Sequence, residues 1–325
     1  MTITNERILQ IVAEMRPAWL SDRTIFLARA GSQSYGTATP SSDLDVRGIA
    51  IPPKNIVLGM HETFEQSQKT GDPDIVIYDL RKFMALAANC NPNIIEILFT
   101  DEENVIKETP FSSSLRMNRN LFLTKKARHT FFGYALSQLK RIKTHRNWLL
   151  NPPKYKPSRE DFGLSISHKG ISDADRGAYE KLLEEGHTFD DNVMEVLRKE
   201  KEYANALTGW KQYQNWLATR NVARADLEAK YGFDVKHGMH LVRLMRMGIE
   251  ILREGKVKVR RPDAEELIAI RNGAWTYDQL IDWASLQEKL FEEAARDSTL
   301  PDEPDLRAIN SLCVELIENS IDWNR

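Results

Sequence analysis

The sequence predicts an α+β protein: an α/β domain over residues 1–110, followed by a mostly helical domain over residues 111–325. Three observations lead there. Up to about residue 100, short apolar runs bounded by turn residues read as buried strands. After Thr109-Pro110 nearly every long segment carries helical periodicity. Between the helical segments lies the proline-rich loop Asn151-Pro152-Pro153-Lys154-Tyr155-Lys156-Pro157, which neither helix nor central strand tolerates.

In chain order, a first helix is expected from about Asn5 to Glu14. The run Thr24-Ile25-Phe26-Leu27-Ala28 reads as a strand that passes through Arg29 and Ala30 into a turn at Gly31. A second strand, Asp45 to Ile51, is stopped by Pro52-Pro53, and a third covers Asp74 to Tyr78. Asp79 precedes the spacing Leu80, Phe83, Met84, Ala87, the apolar face of a helix. The sheet is expected to end near Asp101-Glu102-Glu103. Helices follow at about 121–148, 190–206, 220–230, 236–254, 263–271, 276–296 and 303–321. Asp263 with Glu265 and Glu266 marks a helix start, and Arg260 and Arg261 before it could reach phosphates but read rather as ion-pairing residues. Trp210, Trp216, Trp275, Trp283 and Trp323 are expected to fill the helical bundle, because large rings dominate cores.

With 325 residues the chain can bury two cores. It has no run of eighteen apolar residues, and its first fifteen residues lack the basic start and apolar middle of a signal peptide, so a soluble, cytoplasmic protein is expected. Cys90 and Cys313 stand far apart in apolar helical contexts, which argues for buried thiols and against a disulfide framework or a zinc site. The formal net charge of −2 conceals an asymmetry. Residues 111–159 hold twelve Lys and Arg and no Asp or Glu, so the remainder carries about −14.

The chemistry concentrates in Gly31-Ser32-Gln33-Ser34-Tyr35-Gly36 and the following Ser42-Asp43-Leu44-Asp45-Val46-Arg47-Gly48. On a strand, residues two apart share a face, so Asp43 and Asp45 can converge while Leu44 and Val46 enter the core. Two such carboxylates repel unless cations lie between them, and Mg²⁺ prefers carboxylate oxygens shared with substrate phosphates. Gly31 lets the backbone approach a phosphate, and Ser32 can donate to it. Arg47 shares the face of Asp45, where it either neutralises phosphate or pairs with an acid on the next strand.

The whole string GSQSYGTATPSSDLDVRG resembles the DNA polymerase beta-type nucleotidyltransferase superfamily, and within it the RNA-repair-associated branch. Asn91-Pro92-Asn93 leading to Glu96-Ile97-Leu98, the segment Asp234 to Leu252, and Val259 to Gly273 are similar to that branch as well. The resemblance implies an α/β nucleotidyltransferase domain that binds an NTP with Mg²⁺ or Mn²⁺ and passes a nucleoside monophosphate to a hydroxyl. It also implies a third metal carboxylate on a neighbouring strand, either Asp74 or Asp79. These point to opposite faces, and Asp79 is placed to cap a helix, so Asp74 is the preferred member. His237, His240 and Arg243 lie in one of the matching runs. The two histidines fall on its apolar face, which leaves them either structural or bordering a nucleotide site formed with Gly31, Ser32 and Arg47.

The acceptor that the resemblance implies is an RNA end. Lys125, Lys126, Arg128, Lys140 and Arg141, interleaved with Phe131, Phe132, Tyr134 and Trp148, offer cations for phosphates and rings for unstacked bases. The same residues can equally form one helix whose rings are core and whose charges pair with acidic helices. A protein or small-molecule hydroxyl as acceptor, or an RNA-binding module without activity, remain open alternatives.

Overall fold

The computed structural model describes residues 3–166, 170–220 and 222–321; Trp323 lies outside the described residues. Its elements, in order, are α1 (Asn5–Glu14), α2 (Leu20–Arg23), β1 (Thr24–Ala30), α3 (Ser32–Tyr35), β2 (Asp45–Ala50), α4 (Lys54–Val57), β3 (Gln66–Lys69), β4 (Asp74–Asp79), α5 (Leu80–Ala88), α6 (Pro92–Leu98), β5 (Val105–Glu108), α7 (Pro110–Met117) and α8 (Ala127–Leu150). There follow α9 (Asp173–Glu184), α10 (Asp191–Thr219), α11 (Val222–Tyr231), α12 (Val235–Glu254), α13 (Ala264–Arg271), α14 (Tyr277–Asp297) and α15 (Leu306–Ile321). The architecture is mixed α+β, with a five-stranded sheet near the N-terminus and a mostly helical remainder. No helix among the described residues is long and apolar enough to cross a membrane.

The sheet has the order β3-β4-β2-β1-β5, with β2 and β4 parallel and the other neighbours antiparallel. Alternation along the central strands assigns the two faces. Leu27, Val46, Ala50, Ile75 and Ile77 point to one side and pack against Ile8, Ile11 and Val12 of α1. The opposite side carries Asp45, Arg47, Asp74, Val76 and Tyr78, and this is the face on which a polar cavity opens. Helix α1 forms because Thr4 caps it, accepting from the Arg7 amide, and because Ile8, Ile11 and Val12 recur at helical spacing.

Several elements differ from the sequence expectation, among them β3, β5 and α9, and α10 runs on to Thr219 rather than ending near residue 206. The strands β3 (Gln-Ser-Gln-Lys) and β5 (Val-Ile-Lys-Glu) escape a search for buried runs because both lie at sheet edges and neither is fully buried. The sheet therefore extends past residue 103 to Glu108. Helix α9 lies in a stretch for which no helix was expected.

Contacts divide the chain into two compact units, Met1–Ile142 together with Val235–Arg325, and Lys143–Asp234. In the first, α12 packs on α13 and α14, and α15 packs on α5. Gly248 of α12 is required there: a Cβ would overlap the Phe291 ring and stand 3.0 Å from the Phe131 Cβ. Trp275 and Trp283 pair with ring centroids 5.5 Å apart. In the second unit, Trp148, Tyr213 and Trp216 form an aromatic cluster joined by Trp210. Two of its buried acids are paired with arginines: Glu200 holds Arg159, and Glu228 holds Arg220.

Candidate active site

The site is built on the turn between β1 and α3 and on the parallel pair β2 and β4. Gly31 adopts φ 61°, a conformation that disfavours any side chain. A Cβ on Gly31 would also overlap Oδ2 of Asp45, with Cγ 3.2 Å away, so this position needs glycine for space as well as for backbone shape. The turn closes on itself: the Ser34 hydroxyl and the Tyr35 amide donate to the Gly31 carbonyl at 2.9 and 3.1 Å. Gly36, at φ 74°, ends the helical turn.

The register of β2 with β4 sets Asp45 directly beside Asp74. Arg47, two residues on and on the same face, bridges them: Nη2 donates to Asp45 Oδ1 at 3.1 Å and to Asp74 Oδ2 at 3.0 Å. Its Nη1 donates to the Asp74 carbonyl at 2.9 Å. Asp74 Oδ1 is buried and has no hydrogen-bond partner among the described residues. Burial raises the Asp45 carboxyl above its ordinary value; Arg47 and Lys236 oppose the rise, and the charges of Asp74 and Asp43 add to it. Asp43 itself precedes the strand and is exposed, so it does not share a strand face with Asp45 as the i, i+2 spacing predicts. Its neighbour Leu44 is tied down by its amide, which donates to Asp72 Oδ1, and by its carbonyl, which accepts from the Asp74 amide.

A cavity of about 330 Å³ opens over this pair, lined by Gly31, Ser34, Tyr35, Asp45, Arg47, Asp74, Tyr78, Asn93 and Glu96 among others. Ser32 begins α3 and is half-buried, outside that lining. Asp79 points to the other face, where it is buried and accepts from the Arg81 and Lys82 amides as the N-cap of α5.

Residues that the sequence grouped around a nucleotide divide here. The Arg243 guanidinium is buried, paired with Glu96 and lying 3.8 Å from the Tyr35 ring centroid. It is not exposed to the cavity in the way a phosphate contact requires. His237 is buried with Nδ1 2.7 Å from Gln138 Oε1, and His240 is half-buried. In the basic segment, Lys125, Lys126 and Arg128 face Asp302, Glu303 and Glu292, whereas Lys140 and Arg141 are exposed with no ion pair among the described residues. Phe131 is core and Phe132 packs on Phe291.

Sequence reasoning missed Tyr35, Tyr78, Asn93 and Glu96 as site residues. Burial pushes the Tyr35 hydroxyl far above its ordinary value, and Glu96, which accepts its proton in a hydrogen bond, adds to the rise. The available signal was the run Asn91-Pro92-Asn93 and Glu96: Asn91 caps α6, Pro92 occupies its first position, and Glu96 follows one turn later.

The glycine-serine turn and Asp45, on which the resemblance to the polymerase-beta-type nucleotidyltransferases rests, meet on one face of the mixed sheet beside Asp74. Residues 2–153 match the RNA repair pathway DNA polymerase beta family (RlaP), the branch that the motifs resemble. The chain is also 31% identical over 127 residues to an uncharacterized 38.9 kDa protein from the nrdC-mobD intergenic region of Enterobacteria phage T4. That similarity spans 36% of this chain and 38% of the phage protein. The family match points to a polymerase-beta-like nucleotidyltransferase.

Proposed function

We propose that the protein transfers a nucleoside monophosphate from an NTP to the hydroxyl of an RNA end and releases pyrophosphate, acting in the cytoplasm with Mg²⁺ or Mn²⁺. The observation that carries this reading is the pairing of Asp45 with Asp74 beneath a polar cavity, with Asp74 Oδ1 buried and without a hydrogen-bond partner among the described residues. A buried acceptor with no donor is costly, and an all-oxygen set suits a hard divalent cation. Asp43, Asp45 and Asp74 would hold it, Asp43 from the segment just before the strand. A divalent cation held there would supply charge neutralisation for the phosphates.

The chain's own groups do the rest. Gly31 admits a phosphate close to the backbone, and Ser32 offers its amide and hydroxyl. Arg47 bridges the two carboxylates, and its guanidinium would be drawn toward the triphosphate or the departing pyrophosphate. His237 and His240 border the site from α12 in this reading. Lys125, Lys126, Arg128, Lys140 and Arg141 would contact RNA phosphates. The ion pairs of the first three lie at the surface, where such pairs contribute about 0–1 kcal/mol, so phosphate can replace the acids.

The test is incubation of the full chain with each α-labelled NTP, Mg²⁺ or Mn²⁺, and RNA bearing a free 3′ hydroxyl. Label is expected in an extended RNA. Label in a protein or small molecule instead would overturn the RNA acceptor, and no transfer to any acceptor, with RNA binding retained, would overturn the enzymatic reading.

A further inference from the structure

Three segments far apart in the chain meet at one buried group on the wall of the cavity. Glu96 of α6 receives the Tyr35 hydroxyl on Oε2 and the Arg243 Nη1 on Oε1. Arg243, from α12, also stacks over the Tyr35 ring and donates to the Met247 sulfur at 3.1 Å. All three side chains are less than a tenth exposed, and Arg243 Nε has no hydrogen-bond partner among the described residues. An ion pair so deeply buried is a poor source of net stability, since desolvation offsets most of the attraction. What such a pair can supply instead is a defined geometry.

What it positions is the turn that faces Asp45. Tyr35 is the last residue of α3; its own amide donates to the Gly31 carbonyl, and the Thr37 amide donates to the Ser32 carbonyl. A four-residue helix has almost no stability of its own, because nucleation cost is not repaid over so short a length. The anchor that holds Gly31 against the Asp45 carboxylate must therefore come from tertiary contact.

We propose that Tyr35, Glu96 and Arg243 form a strut that fixes the glycine-serine turn against Asp45, so that Arg243 is a positioning residue and α12 sets the geometry of the carboxylate pair from behind. Removing the strut loosens the turn first, and the cation affinity of the carboxylates falls as a consequence. The second part rests on the reading that Asp45 and Asp74 hold a divalent cation.

The experiment uses the full chain and two conservative variants, Tyr35→Phe and Arg243→Lys, with Glu96→Gln as a third should either fold poorly. Hydrogen exchange of the amides at residues 35 to 37 is expected to accelerate about tenfold or more, the effect of losing one hydrogen bond to a charged group, while the amides of β4 keep their protection. The double variant should be no worse than either single one, because both break the same strut. Exchange within twofold of the parent, or equal acceleration in β4, overturns the strut. Mn²⁺ affinity without nucleotide should fall in parallel in both variants; an unchanged affinity beside accelerated exchange overturns the coupling. If the parent protein takes up no Mn²⁺, or Asp45→Asn leaves uptake unchanged, it is the cation reading that falls, and the exchange result still decides the strut.

Discussion

Asp45 occupies a place where its negative charge is disfavoured: half-buried, beside Asp74, and within the field of Asp43. The shift has a definite sign. A carboxyl raised in the folded state above the unfolded value of 3.8 contributes stability that is fully present below that value and is lost as pH rises through the folded value. In chelator, then, Asp45→Asn should gain in melting temperature relative to the parent as pH is raised from about 4 toward neutrality, and the gain should be absent at the acid end. Adding Mg²⁺ should raise the parent's melting temperature and leave the variant's unchanged. Thermal melts across that range check both; a difference independent of pH would contradict the burial argument. Of the residues that line the cavity, Gly31, Asp45 and Arg47 were legible in advance from one short motif, and Asp74 from the resemblance together with its place on a strand. Glu96 was not, because its meaning comes from Tyr35 and Arg243, 61 and 147 residues away.

Among the elements, those whose apolar residues recur at a clear period were readable from sequence: α1, β1, β2, β4 and α12 each bury a face that the pattern declares. The edge strands were not, and there is a physical reason. A strand at a sheet edge gains from polar and charged residues that discourage pairing with another chain, as in the Gln-Ser-Gln-Lys of β3 and the Lys-Glu end of β5. Spacing also placed Asp43 on the face of Asp45, whereas β2 begins only at Asp45. Helix α5 offers a test of the separation of roles between the two acids of β4. Asp79 accepts from two backbone amides at the start of α5, so Asp79→Ala should cost about 0.5–2 kcal/mol of stability. Mn²⁺ affinity should be unaffected. Chemical denaturation and a metal titration on the same variant measure the two; loss of the metal with stability retained would exchange the roles of Asp79 and Asp74.

At the scale of the whole molecule, the excess of positive charge between residues 111 and 159 is partly neutralised by acids of α14 and of the loop before α15, at Glu292, Asp302 and Glu303. Lys140 and Arg141 on α8 keep their charge exposed. If RNA is the acceptor, charge reversal at these two positions should weaken single-stranded RNA binding for all sequences alike. It should also reduce the salt slope by about 0.7 for each phosphate that is no longer neutralised. Affinity measured between low and moderate salt is the check, and an unchanged slope would remove this face from the RNA account. In the proposed reaction Asp45 and Asp74, set side by side by the parallel register of β2 and β4, are the carboxylates of nucleotidyl transfer. This assignment is tested most directly by the rate of pyrophosphate release from labelled NTP with Mn²⁺ in the parent, Asp45→Asn, Asp74→Asn and Asp79→Asn. The first two variants are expected to lose about a hundred- to a thousandfold, as when a preorganised electrostatic group is removed, while Asp79→Asn stays within a few-fold of the parent. Parental turnover by Asp74→Asn, or its loss in Asp79→Asn alone, would contradict it.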